Sequence, residues 1–109
     1  MDDIRNERTL SLLKEIAGRF IQEEVDVPPG MLLTVMRVEW GADKTHAIVY
    51  VSPFPTNRVG MVLEKLRRLQ LPFNTYARKK LGMKHIPDIR FYLDDTEVKK
   101  DREEKMSEE

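Results

Sequence analysis

The feature that most constrains the fold of this chain is a pair of β-forming runs separated by only four residues. Residues 31–40 are rich in β-branched and large apolar side chains, and residues 45–52 alternate apolar with polar ones. Because residues 41–44 form a short connection, the two runs predict a β-hairpin. Successive side chains of a strand point to opposite faces of the sheet. In the second run, one face carries Ala47, Val49 and Val51 and is predicted to pack against other elements. The opposite face carries His46, Ile48 and Tyr50.

Helical periodicity lies on both sides of the hairpin. Before it, apolar residues recur at helical spacing over residues 3–24, and the Pro-Pro-Gly sequence at 28–30 ends any helix. After it, Asn57 is the predicted N-cap of a helix over residues 58–69. These patterns predict one helix before the hairpin and further helix after it.

Pro72 interrupts the second helical pattern, which resumes over residues 74–81 and stops at Gly82. A proline inside a helix removes one backbone hydrogen bond, and its ring collides with the preceding turn. The sequence therefore predicts a kinked or broken pair of helices at this point.

A third strand is predicted over residues 86–93, where Ile89, Phe91 and Leu93 alternate with polar neighbours. The element order is then α-β-β-α-kink-α-β, an α+β fold with its helices on one face of a three-stranded sheet. The order of the strands within the sheet stays open.

The length of 109 residues allows one domain, predicted over residues 1–95. Residues 96–109 hold one valine and one methionine among charged side chains, too little apolar surface to offset the entropy of ordering. We expect this tail to be disordered or to form a short solvated helix.

A net charge of zero conceals an uneven distribution of charge. Residues 58–90 carry nine basic and two acidic side chains, and the remaining residues carry ten basic and seventeen acidic ones. The basic residues of that stretch are Arg58, Lys65, Arg67, Arg68, Arg78, Lys79, Lys80, Lys84 and Arg90. This asymmetry indicates either a surface that faces nucleic acid or solvated helix faces in a charge-rich protein.

A cationic groove for single-stranded RNA also needs flat side chains against which bases can stack. The candidates are Phe73, Tyr76, Tyr50, Tyr92 and His85. Each of these side chains belongs to a hydrophobic core more often than to a binding surface, because aromatic residues bury a large area.

The sequence predicts a binding protein and not an enzyme. The absence of cysteine excludes a disulfide scaffold, a thiolate metal site and a cysteine nucleophile. His46 and His85 have no companion at catalytic or metal-ligand spacing, and five scattered glycines form no phosphate loop. We therefore expect no catalytic residue, no metal ion and no cofactor.

No membrane association is expected either. The longest apolar runs, residues 31–36 and 47–51, are far shorter than the ~20 residues that span a bilayer. The N-terminus lacks the pattern of a secretory signal, so the sequence predicts a soluble cytoplasmic protein.

Two segments resemble the bacterial ribosome-binding factor A family. The hairpin at residues 37–52 is similar to that family's hairpin, above all in the run Thr-His-Ala-Ile-Val-Tyr-Val-Ser at 45–52. The run at 86–95 is similar to the family's last strand with its acidic end, and the acidic segment at 23–26 is similar to the connection after its first helix. The likeness covers about residues 5–95.

This resemblance implies a type II K-homology-like fold and a non-catalytic role in late maturation of the small (30S) ribosomal subunit. It also implies 16S rRNA as partner, contacted through the basic face of the kinked helices, and an association with growth in the cold. The residues expected to contact phosphates are Arg67, Arg68, Arg78, Lys79, Lys80 and Lys84, together with Arg58 and Arg90. We expect a monomer. The alternative is a protein-interaction domain whose basic face docks an acidic partner.

The sequence departs from the family pattern at the kink and in the tail. The family has an Ala-x-Gly element at the kink, where this chain has residues 69–71 followed by Pro72. In the tail, Lys100 and Glu103 replace a glycine and an apolar residue that are common in the family. Proline, and not a small residue, is therefore the expected source of the bend.

Overall fold

The computed structural model describes residues 7–82 and 87–94. The elements follow one another along the chain as α1 (Glu7–Glu24), β1 (Leu32–Trp40), β2 (His46–Phe54), a 3-10 turn (Thr56–Arg58), α2 (Val59–Leu81) and β3 (Asp88–Leu93). This is the predicted α+β architecture. Three segments lie outside the described residues: residues 1–6 with the start of the first predicted helix, residues 83–86, and residues 95–109 with the predicted tail.

The three strands form one sheet in the order β1-β2-β3. β1 and β2 are antiparallel, as the hairpin prediction requires, and β2 pairs with β3 in parallel. The register of β1 shifts at Met36, between Val35 and Arg37. The parallel pairing is possible because α2 carries the chain from the end of β2 back to the start of β3.

Both helices cover the same face of the sheet, α1 over β1 and α2 over β3. The predicted faces of β2 are confirmed, since Ala47, Val49 and Val51 are fully buried against the helices. On the opposite face Ile48 is also buried, because it lies in register between the long side chains of Glu39 and Arg90. Ser52 alternates onto the same face and is buried as well, whereas Arg90 and Tyr92 of β3 are exposed there.

The predicted break at Pro72 is wrong, because α2 is one helix from Val59 to Leu81, and a kink within that helix stays a prediction. Phe73 and Ala77 beyond the proline enter the same core as Val62 and Leu66 before it. An interior proline costs about 3 kcal/mol, and burying one large apolar side chain contributes roughly 1.5–3 kcal/mol. Burial on both sides of Pro72 therefore outweighs the local penalty.

Two predicted boundaries also differ from the structure, and a third is confirmed. Asn57 is not the N-cap, because it lies inside the 3-10 turn and the helix begins at Val59 with no side-chain cap. β2 continues through Pro53 to Phe54, which is possible because β3 stops pairing with β2 at Val51 and leaves that side of the proline free. Gly82 ends α2 in the left-handed conformation, as predicted.

Two amide side chains of α2 form hydrogen bonds with the backbone of β3 along the outer edge of the sheet. The Ile89 N–H donates to Asn74 Oδ1 (3.0 Å), and Asn74 Nδ2 donates to the Ile89 carbonyl (2.9 Å). One turn earlier, Gln70 Oε1 accepts a hydrogen bond from the Phe91 N–H at 3.1 Å. Buried backbone groups of an edge strand must find partners, and here a helix supplies them. This bonding holds α2 in a fixed position on the sheet.

Candidate nucleic-acid interface

The solvent side of α2 carries its basic residues in two rows. A helix turns about 100° and rises about 1.5 Å per residue, so residues eleven apart lie about 16 Å apart on nearly the same flank. Arg67 and Arg78 have this spacing and form one row, and Arg68 and Lys79 have it and form the other. Because α2 is continuous through Pro72, both rows run along one helix.

The cations at the first end of these rows are exposed and share one acidic neighbour. The side chains of Arg67 and Arg68 are 79% and 77% exposed. Glu64 lies 3.9 Å from Arg67 and 3.4 Å from Arg68, measured between carboxylate oxygen and guanidinium nitrogen. Ion pairs this exposed contribute little to stability, so both arginines can exchange Glu64 for a phosphate.

Two further lysines of α2 are turned toward α1 and away from the two rows. Lys80 Nζ lies 5.5 Å from the centre of the Tyr76 ring, at the distance of a cation–π contact. Lys65 is half-buried and donates a hydrogen bond to the Asp26 carbonyl. Lys80 therefore borders the cationic surface, and Lys65 has a structural role.

The remaining predicted contacts are scattered. Arg58 is exposed in the 3-10 turn that directly precedes α2. Arg90 lies on the open face of the sheet, with Nε 3.3 Å from Asp88 Oδ2, and so does not join the α2 rows. Lys84 and His85 lie outside the described residues.

The aromatic side chains of α2 are core residues. Phe73 is fully buried, and its ring lies 5.1 Å from those of Phe20 and Phe91. Tyr76 packs on Phe20 and has a buried hydroxyl; burial and the nearby Glu23 and Glu24 raise its pKa. Neither ring is available to stack on a base at the surface of α2.

The accessible aromatic residues are Tyr50 and Tyr92 on the open face of the sheet, on the other side of the domain, and Phe54, which is 67% exposed at the end of β2. Tyr92 is 44% exposed and meets Tyr50 edge to face, with 6.1 Å between ring centres. The Arg37 guanidinium carbon lies 3.9 Å from the centre of the Tyr50 ring, and its nitrogens donate to Glu39 and Asp94 at 2.9 Å each. This face therefore offers aromatic surface, but carboxylates neutralise its arginine.

The His46 ring packs against the hairpin turn, so this residue has a structural role. Its ring covers Gly41 so closely that a Cβ added there would lie 2.4 Å from the imidazole. Its Nδ1 is 3.4 Å from Asp43 Oδ1 in the hairpin turn. Within residues 7–82 and 87–94, no three His, Cys, Asp or Glu side chains converge as a metal site.

None of the helices among the described residues is long and apolar enough to cross a membrane. The described part of the chain is a small α+β domain of the K-homology-like class, with one continuous cationic helix on its outer side. The structure brings Arg67, Arg68, Arg78 and Lys79 together on that helix. Sequence reasoning missed the amide pair Gln70 and Asn74; two amides four residues apart before a strand are the signal that could have found it.

The chain belongs to the ribosome-binding factor A family, whose model matches residues 5–107. It is 34% identical over 94 residues to ribosome-binding factor A of Chlamydia pneumoniae, covering 84% of this chain and 78% of that protein. A solution NMR structure of a Thermotoga maritima protein described as a putative ribosome binding factor A superposes with a TM-score of 0.64 at 29% identity, covering 84% of this chain and 90% of that one.

A homology model of Thermus thermophilus ribosome binding factor A, fitted into a cryo-EM map of a complex with the 30S subunit, superposes with a TM-score of 0.67. It is 24% identical and covers 81% of this chain and 93% of that one. At this identity the likeness concerns the fold. The K-homology-like fold predicted from the hairpin and the last strand is thus confirmed, with one continuous helix in place of a helix pair.

Proposed function

We propose that this protein binds the small ribosomal subunit and its 16S rRNA during late maturation, acting by binding and not by catalysis. The observation that carries the proposal is the outer side of α2, where Arg67, Arg68, Arg78 and Lys79 form two exposed rows with one acidic neighbour. Cations arranged along a surface are what a phosphate backbone requires, because its contacts are mainly electrostatic. Family membership and the fold shared with a protein seen on the 30S subunit support the choice of partner.

The chemistry of the site supports a role without catalysis. The four cations offer donors to phosphate oxygens, and arginine does so in a fork that matches phosphate geometry. No described acid, base or nucleophile lies beside them apart from Glu64, which pairs with the two arginines. Such a surface can hold RNA in place, and we propose that it works in the cytoplasm as a monomer, with Arg58 and Lys80 at its margin.

Sedimentation through a density gradient tests this function. We expect the protein to travel with free small subunits and to be absent from complete ribosomes, since a maturation factor leaves before the subunits join. The alternative, an acidic protein partner for the same face, predicts no co-sedimentation and displacement by an acidic protein. A competition between purified small subunits and a polyglutamate chain distinguishes the two, and retention by polyglutamate alone would contradict the proposal.

A further inference from the structure

The outer side of α2 has none of the features that hold a single nucleic-acid strand. Single-strand binding combines a cationic groove with aromatic side chains on which bases stack. The face of α2 is convex, and its centre is formed by Leu71, which is 80% exposed, and Thr75. The two aromatic residues of the helix, Phe73 and Tyr76, face the core.

The stacking surface that does exist is on the wrong side of the domain to cooperate with these cations. Tyr92 and Tyr50 lie on the open face of the sheet, and the exposed Phe54 alternates onto the same face at the end of β2, whereas α2 covers the opposite face. A single strand could reach the cations or the tyrosines, but a short one could not use both. The cationic face must therefore bind through the sugar-phosphate backbone alone.

The two rows match the backbone of a double helix. Each row is about 16 Å long, and the rows lie on two flanks of a helix about 10 Å in diameter. A duplex presents about one phosphate per 1.7 Å of axis on its two strands, twice the density of one strand. A-form RNA displays its backbone and 2′-hydroxyls across a wide, shallow minor groove, and proteins recognise it there by shape.

The fixed position of α2 on the sheet adds to this match. The core residues on both sides of Pro72 and the amide bonds of Gln70 and Asn74 to β3 fix the helix on the sheet. The cations of a fixed helix can bind the regularly spaced phosphates of a duplex without ordering either partner. A flexible single strand must lose conformational freedom to bind the same cations. Rigidity therefore favours the duplex.

We infer that α2 recognises double-helical RNA, with Arg67 and Arg78 on the phosphates of one strand, Arg68 and Lys79 on those of the other, and Leu71 over the groove between them. This inference rests on the proposed function and specifies the RNA structure that the same surface takes. It assigns no role in RNA binding to the tyrosines of the open sheet face.

Fluorescence titrations with three RNAs of mixed sequence test the inference: a blunt duplex of about 18 base pairs and each of its two strands alone. The full-length protein should bind the duplex at least about tenfold more tightly than either strand. A second variant changes four side chains together to Gln: Arg67, Arg68, Arg78 and Lys79. Each lost phosphate contact on a duplex should reduce the slope of log affinity against log salt by about 0.9, so the slope of this variant should be smaller by about 3 to 4. Tyr92→Ala, the matched change on the opposite face, should leave duplex binding unchanged.

Equal or tighter binding of a single strand would overturn the inference, as would a loss of duplex binding in Tyr92→Ala. Failure to bind either RNA, by a protein that still travels with small subunits, would also overturn it while leaving the proposed function in place. Failure to bind small subunits would overturn the proposed function. Circular dichroism of each variant excludes misfolding, and all five substituted side chains are exposed.

Discussion

Glu64 is the only acidic residue in the sequence of α2, and its position makes it a natural competitor of phosphate. Its carboxylate pairs with both Arg67 and Arg68, so either arginine must release it to meet RNA. Removing the charge of Glu64 frees Arg67 and Arg68 from their ion pairs and removes the repulsion between this carboxylate and RNA phosphates. The side chain is half exposed and contributes little to folding.

We expect Glu64→Gln to strengthen binding to small subunits by about two- to fivefold at low salt, the range that exposed ion pairs of about 0.4–1 kcal/mol allow. The free energy of unfolding should change by less than about 0.5 kcal/mol. Glu15→Gln, which removes a similar exposed pair with Arg19 on α1, is the control and should leave binding unchanged. Equal or weaker binding by the Glu64 variant would show that Arg67 and Arg68 do not contact the RNA.

A second residue-scale prediction concerns the hairpin turn, where Asp43 Oδ1 accepts hydrogen bonds from the Thr45 N–H (3.1 Å) and Oγ1 (2.8 Å). These bonds lower the pKa of Asp43 below its ordinary value. The carboxylate therefore stabilises the fold above the unfolded pKa, about 3.9, and that stabilisation is lost as the pH falls through the folded value.

Asp43→Ala should accordingly reduce the free energy of unfolding near neutral pH, and the deficit should shrink toward about pH 3. Urea unfolding of both proteins at the two pH values measures it. An equal deficit at both values would mean that the carboxylate charge plays no part in the turn.

At the scale of the elements, local chemistry predicts the hairpin and the end of α2 but not the continuity of that helix. The alternation of residues 45–52 and the glycine at 82 act through neighbours in sequence, and both predictions are confirmed. Pro72 also acts locally, but Phe73 and Ala77 are held by residues distant in sequence. The strength of that tertiary burial cannot be read from periodicity, so the sequence predicted a break.

Pro72→Ala should therefore stabilise the protein. The new N–H can donate to the Arg68 carbonyl, and Pro72 is exposed, so no core contact is lost. We expect a gain of about 1–3 kcal/mol in the free energy of unfolding, with unchanged binding to small subunits. Loss of binding in a stable variant would show that the interface depends on a local effect of Pro72 and not only on the cations of a continuous helix.

Asn74 should be among the most important polar residues of the fold, because it satisfies both backbone groups of Ile89. Asn74→Ala leaves these buried groups without partners, at about 1–3 kcal/mol for each unmet bond, so we expect a loss of roughly 2–4 kcal/mol. Thr75→Ala removes an exposed neighbour on the same helix and should cost under about 1 kcal/mol. Hydrogen exchange should quicken at the Ile89 amide, and an unchanged rate there would refute the bonding.

At the scale of the whole molecule, the charge asymmetry located the candidate interface only in part. The basic stretch of 58–90 drew attention to α2, but it could not separate Arg67 and Arg78 from Lys65 or Arg90. That separation depends on helix phase across Pro72 and on the strand face of residue 90, both of which follow from tertiary packing. The fold turns an overall neutral chain into one with a cationic outer helix.

The central claim is that small subunits bind to the outer side of α2 through its cations, and the salt dependence of binding tests it most directly. We expect the Arg67→Gln, Arg78→Gln double variant to flatten the slope of log affinity against log salt by about 1.4–1.8 relative to wild type. The Arg8→Gln, Lys14→Gln double variant removes two exposed cations from α1 and should retain the full slope. Equal slopes for all three proteins would place the ribosome-binding surface elsewhere on the molecule.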